Sequence, residues 1–291
     1  MDHDAANLLK YRFERRGAAI KKNKIILYIP FLLWLALFII VPVALIVYYS
    51  FTDGGGFSLE NFQRLAEPMF VVVMVRSLWL SLIATVICLL VGYPIAMILA
   101  GNTFKSKTVL LVLFIAPMWM NFLLRTYAWL TLLENTGLIN QLLAQFGFEK
   151  VQFLYNQGAV VLGMVYNLLP YMIFPIYTSV SKIPKHMLEA ASDLGANAFV
   201  RFWKITLPLS VPGIISGITM VFVPGVTTFV VSKLLGGGNV PMIGDIIEQQ
   251  FGALSDWHFG SAISMGVMVI IVICMWFVNR TSDLEEGGGL L

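Results

Sequence analysis

The chain has 291 residues, is 58% apolar and carries only 12% charged side chains, about half the charged share of an ordinary soluble domain. Nineteen Lys and Arg stand against sixteen Asp and Glu, a formal net charge of +3. A soluble helical protein would need far more polar surface to cover so much apolar side chain. The long uninterrupted apolar runs also exclude a membrane β-barrel, whose strands alternate. An all-α integral membrane protein is left.

The first 24 residues hold Lys10, Arg12, Arg15, Arg16, Lys21, Lys22 and Lys24. Ahead of an apolar run, such a segment sets orientation and meets anionic lipid; it is read that way rather than as a nucleic-acid arm. The run that follows is too long for a cleaved signal peptide. Crossing the hydrocarbon core takes about 20 apolar residues in a helix. Apolar stretches, charge-free except that the third runs on past Arg125, predict six spans at 26–50, 77–100, 109–133, 158–180, 211–232 and 259–279. Fourteen of the nineteen basic residues fall in 1–24, 101–108, 181–210 and 279–291, which places these segments and both chain ends in the cytosol. The expected organisation is a basic segment 1–24, one transmembrane domain 25–280 and a flexible tail 281–291.

Outside the membrane, Leu59–Leu65 and Ile246–Phe251 read as short interfacial helices, each following a glycine-rich turn, at 54–56 and 236–238. Pro170 and Pro175 in the fourth span, and Pro224-Gly225 in the fifth, predict kinks, which membrane helices tolerate where neighbours satisfy the freed carbonyls. The hydroxyl-bearing Thr227-Thr228-Phe229 after that second break is the gate candidate. Cys88 and Cys274 lie within spans with no redox or zinc spacing and are read as packing residues. His3, His186 and His258 are isolated, so no metal site is expected.

The inner segment 181–210 is the most informative part of the chain. Pro184 and Gly195 bracket a short helix, proline at its first turn and glycine after its last, with Gly195 free to reverse the chain. A second amphipathic stretch has Phe199, Phe202, Trp203 and Thr206 on one face and Arg201 and Lys204 elsewhere. Leu207-Pro208 is expected to end it before the fifth span. The result is a rigid helix–turn–helix under the membrane, with the Glu189 carboxylate open to a partner's arginine and Ala190-Ala191 allowing close approach.

These residues spell E-A-A-x3-G-x9-I-x-L-P, through Glu189, Ala190, Ala191, Gly195, Ile205, Leu207 and Pro208. The pattern resembles the signature of permease subunits of binding-protein-dependent ABC importers, in which this loop docks on the ATPase. No G-x-x-x-x-G-K-[ST] occurs, so a phosphate cradle is missing from this chain, and the resemblance implies that ATP and Mg are bound by a partner. Further motifs, among them Gly92-Tyr93-Pro94, Ala116-Pro117-Met118-Trp119, Gly163-Met-Val-Tyr166-Asn-Leu-Leu-Pro170 and Asp256-Trp257, are similar to the first permease of spermidine/putrescine importers, from about residue 30 to 280. Lys233 departs from some relatives, which carry an acid there.

The resemblance implies a six-helix type I importer fold and no catalytic site. It implies a complex with a second homologous permease, two ATPase subunits and an extracytoplasmic binding protein, working by alternating access on a polyamine. Within that frame Trp119, Asn121, Arg125, Tyr127, Trp129 and Glu134 of the third span, with Tyr166, Asn167 and Tyr171 of the fourth and Thr227, Thr228 and Phe229 of the fifth, are candidate pathway residues. Aromatic faces attract ammonium groups by about 0.5–2 kcal/mol, and a carboxylate such as Glu134 pairs with one. Eight acids in the outer segments would also draw in polycations. The competing readings are an importer permease for another small solute and an ion-coupled secondary transporter. The latter predicts inverted repeats and midspan acids, which are not evident.

Overall fold

A computed structural model describes residues 28–53, 55–101 and 107–287. The basic segment 1–24, Lys105 and the tail end 288–291 lie outside the described residues. Apart from one isolated bridge between Thr52 and Phe57, the regular structure among those described is helical. In chain order it comprises α1 (Tyr28–Ser50), α2 (Glu60–Leu65), α3 (Pro68–Ala100), α4 (Lys107–Trp119), α5 (Phe122–Leu133) and α6 (Leu138–Gln145). Then follow α7 (Gln157–Ser181), α8 (Lys185–Asp193), α9 (Ala198–Val226), α10 (Val230–Gly236), α11 (Ile243–Phe251) and α12 (Trp257–Gly287). The all-α fold agrees with the sequence reading, and α12 continues to Gly287, past the boundary set at Arg280.

Five of these helices, α1, α3, α7, α9 and α12, are long and apolar enough to cross a membrane. They match five of the six expected spans. The third, 109–133, differs: it is two helices, α4 and α5, parted at Met120-Asn121. Asn121 leaves the helical region (φ −56°, ψ 131°) and its side-chain oxygen accepts the Leu123 amide at 2.8 Å. It therefore starts a new helix as an N-cap, a signal that hydropathy does not carry.

A second correction concerns Leu207-Pro208. The helix runs through this pair, because the five residues before it, Phe202–Thr206, form a widened π turn closed by the Leu207 amide on the Phe202 carbonyl. A proline collides with the carbonyl four residues earlier in a regular helix and lacks the amide that would bond it; widening the turn accommodates both faults. The same device recurs in α1, where the π turn Ala36–Ile40 precedes Pro42.

The centre of the fold is α3 against α7 and α9. Leu80, Ala84, Cys88 and Ala96 of α3 meet Val160, Met164, Met172 and Ile176 of α7 and Val221 of α9, all buried. Small residues let these backbones approach, as they do in membrane helix packing: a Cβ on Gly217 would lie 2.7 Å from the Met172 sulfur. Buried hydroxyls tie the same helices together. Ser81 Oγ donates to the Phe222 carbonyl at 2.8 Å, and the Tyr93 hydroxyl lies 2.8 Å from Ser210 Oγ.

A second cluster joins Val73 and Met74 of α3 to Phe222 and Val226 of α9, Ile243 and Ile246 of α11, and Phe259, Ile263 and Val267 of α12. Ser77 Oγ accepts the Ile243 amide at 2.7 Å, so the start of α11 is pinned to α3. Helix α1 stands apart: its second half, Val41–Ser50, packs along α12, while Tyr28–Ile40 has no buried residue. One end of the bundle thus carries α8 and the start of α9, and the other carries α2, α6, α10 and α11.

Candidate functional site

The helical turn 185–208 is built from its caps. Pro184 sits one position earlier than the sequence suggested, at the N-cap of α8 (φ −65°, ψ 131°) rather than within its first turn. At the other end the Gly195 amide bonds the Ser192 carbonyl at 2.9 Å and the Ala196 amide bonds the Ala191 carbonyl at 2.9 Å. That crossed pair is the Schellman closure, which needs a left-handed residue at its centre; Gly195 supplies it at φ +83°. Asn197, which sequence reasoning passed over, then caps α9 by accepting the Val200 amide at 2.9 Å. Arg201 Nη1 donates to Ser192 Oγ at 2.6 Å and straps the two helices together.

The expected single apolar face of α9 is divided. Phe202 and Thr206 turn inward, Phe202 edge-on to Tyr93 at 5.6 Å between centroids and Thr206 buried. Phe199 and Trp203 remain exposed, with Leu194 at the turn itself 89% exposed. Leu194, Phe199 and Trp203 thus form a ridge of exposed apolar side chains along the turn. Glu189 and Ala190 are exposed beside it, and Ala191, Ile205 and Leu207 are half-buried. Glu189 makes no ion pair among the described residues. Glu189, Arg201, Lys185 and Thr206 also line a cavity of about 340 Å³ closed by the ends of α3 and α7.

The candidate pathway residues fall into smaller groups. Trp129 and Tyr166 meet edge-on at 5.3 Å. Asn167 is buried, donating to the Gly163 carbonyl at 2.9 Å and lying 3.5 Å from Thr126 Oγ1, with its own Oδ1 lacking a partner among the described residues. Arg125, next to Thr126, is also buried, with Nε and Nη1 lacking a hydrogen-bond partner among the described residues and its guanidinium 5.8 Å from the Phe122 ring. Asn121 is occupied as the cap of α5. Trp119, Tyr127, Glu134 and Tyr171 are exposed.

Thr227-Thr228-Phe229 is the non-helical break between α9 and α10. It is held by a residue the sequence reading missed: a Cβ on Gly244 would lie 2.3 Å from the Thr227 carbonyl and 2.7 Å from that of Thr228, so only glycine lets α11 abut the break. Beyond it Lys233 of α10 forms an ion pair with Glu248 of α11. Asp245, one turn before Glu248, accepts the Met242 amide through Oδ2 at 2.8 Å. Burial pushes the Asp245 carboxyl above the ordinary range, against the pull of that amide, of the Ser232 hydroxyl and of Lys233.

A family model described as "Binding-protein-dependent transport system inner membrane component" matches residues 92–284. The chain belongs to this family. The matched region takes in the helical turn, α7 and all of α9–α11. Among curated relatives, the spermidine/putrescine transport system permease protein PotB of Haemophilus influenzae is 38% identical over 260 residues, 86% of this chain and 91% of that one. PotB of Escherichia coli K12 is 38% identical over 260 residues, covering 86% and 94%. Among solved structures, a bacterial ABC transporter that imports the acidic polysaccharide alginate superposes with a TM-score of 0.78 at 17% identity, over 92% of this chain and 98% of that one. That likeness supports the fold. These relatives are transport permeases, and this chain is a transporter membrane subunit rather than an enzyme.

Proposed function

We propose that this chain is one of two homologous permeases that together line an ATP-driven import pathway for polyamines such as spermidine and putrescine. The observation that carries the cargo is the 38% identity, over nearly the whole chain, to two spermidine/putrescine permeases. Of two ATPase subunits, which bind ATP and Mg, one docks on the Glu189–Pro208 turn of this chain. An extracytoplasmic binding protein delivers the ligand to the opposite end. Both chain termini face the cytosol, as the distribution of Lys and Arg requires.

The geometry of the turn supports that docking role. A Schellman closure, an N-cap and the Arg201–Ser192 strap fix α8 relative to α9, and α9 is continuous into the membrane core. A push on α8 therefore moves a spanning helix without an intervening flexible linker. Its exposed Leu194, Phe199 and Trp203 offer apolar anchors, while Glu189 offers an exposed carboxylate with no ion pair among the described residues. Closure of the ATPase pair on ATP opens the cavity outward and hydrolysis returns it inward. At the outer end, Thr227-Thr228-Phe229 is the gate, and the aromatic pair Trp129–Tyr166 lies along the route with Arg125, Tyr127, Glu134, Asn167 and Tyr171.

Uptake of radiolabelled spermidine and putrescine into proteoliposomes holding the assembled complex and its binding protein tests the cargo. ATP-dependent accumulation is expected, and calorimetric titration of the binding protein with the same amines should show binding. Accumulation of neither amine would reject the polyamine reading. Glu189→Lys tests the docking: it should weaken copurification of the ATPase and ligand-stimulated hydrolysis, and retention of both would reject it.

A further inference from the structure

Beside the outer break at 227–229, a primary ammonium of the chain itself is paired with Glu248, a residue that lines an adjoining cavity. Helices α10 and α11 are folded back on one another by Gly237 and Gly238, both at positive φ. This brings Lys233 to Glu248, fifteen residues away, as an ion pair whose side chains are 48% and 43% exposed. The Lys233 Nζ also lies 6.0 Å from the centroid of the Phe229 ring. Asp245 stands on the same face of α11 as Glu248, three residues apart. Its Oδ1 is buried beside the Ser232 hydroxyl, which faces both this carboxyl and the Phe229 carbonyl, 3.0 Å away. Glu248, Phe229 and Thr227 line a cavity of about 450 Å³ that continues along Val223, Ile247 and Ser264.

These are the elements of an alkylammonium site: a reachable carboxylate, a second carboxylate one turn away on the same helix face, an aromatic face at cation–π distance and an apolar-walled cavity for a methylene chain. We propose that Glu248, Asp245 and Phe229 form a subsite for one terminal ammonium of the transported amine, and that Lys233 is a tethered occupant which the substrate ammonium displaces. The proposal rests on the polyamine reading above. Lys233 and a polyamine terminus present the same group, –NH3⁺ on a methylene stem, so the exchange conserves charge at the carboxylates. An ion pair this exposed is weak, so it is readily exchanged. The tether keeps the carboxylates neutralised between substrates and sets a threshold that simple inorganic cations, lacking a methylene chain for the cavity, do not overcome.

The two halves of the pair then act with opposite sign, which a merely structural latch would not do. The test is equilibrium binding of radiolabelled spermidine to the detergent-purified complex, without binding protein. Lys233→Gln should tighten binding about two- to fivefold, the scale of an exposed ion pair, while Glu248→Gln should weaken it by at least as much. Phe229→Leu should weaken it too, and sodium or potassium should compete poorly in all variants. Recovery of the intact complex on copurification keeps the comparison valid. If Lys233→Gln weakens binding as Glu248→Gln does, or leaves it unchanged, the pair is a latch and the subsite is refuted. The same result alongside normal spermidine uptake by the wild type would leave the cargo reading intact. Absence of uptake by the wild type would overturn the cargo, and the subsite with it.

Discussion

Replacing Gly195 by alanine separates the backbone demand of the helical turn from its packing. A Cβ at this position would have nothing within 4 Å, so alanine introduces no collision. What it introduces is a side chain on a residue held at φ +83°, a left-handed conformation that costs an L-residue about 1–2 kcal/mol. If the ATPase recognises the closed turn, that cost appears as an association weakened about 5- to 30-fold. Asparagine, the non-glycine residue that best tolerates this conformation, should lose less. The assay is titration of the detergent-solubilised permease with fluorescently labelled ATPase, with ligand-stimulated hydrolysis followed in parallel. Unchanged association in Gly195→Ala, or equal losses in the alanine and asparagine variants, would refute the claim that the left-handed turn is what the ATPase reads.

Gly163→Ala should force α10 off α7, because the added Cβ would lie 2.4 Å from Leu235 Cδ1 and 2.8 Å from Val231 Cγ1; overpacking of this kind costs about 1–3 kcal/mol, read as a lowered Tm of the purified protein. Ser77→Ala strands the buried Ile243 amide, at a cost of about 1–3 kcal/mol, and should raise hydrogen exchange at the start of α11 with little change elsewhere. The carboxyl of Asp245 has a raised pKa in the folded chain, so the folded state holds its proton more firmly than the unfolded one. Its contribution is fully present below the ordinary carboxylate pKa near 3.8 and is lost as pH rises through the folded value. Asp245→Asn should therefore flatten the pH dependence and be no less stable than wild type at pH 7 in thermal unfolding; a deficit at pH 7 that vanishes in acid would contradict it.

Much of the fold was legible because lipid imposes a one-dimensional rule. Five of the six apolar stretches became long helices, since a buried backbone in hydrocarbon has few other options. The turn at Gly195 was legible for a different reason: capping is local, and proline, glycine and their spacing state it directly. The division of the third stretch was not, because hydropathy is blind to chain direction and Asn121 reads as a polar cavity residue until its φ and ψ make it a cap. The passage of the helix through Leu207-Pro208 was missed for a related reason. Sequence rules place a stop at proline, and the π turn that removes the clash leaves no pattern of its own.

By itself, then, the sequence determined an all-α membrane chain, the positions of most spans, the turn at Gly195 and the family, all of which depend on composition or on residues a few positions apart. The tertiary structure alone decided which groups meet: Tyr93 with Ser210, Ser77 with the amide of Ile243, Trp129 with Tyr166, and Lys233 with Glu248 across a reversal of the chain. Such pairings depend on how helices cross and on where loops turn back. Those choices are set by packing among surfaces that are equally apolar in sequence.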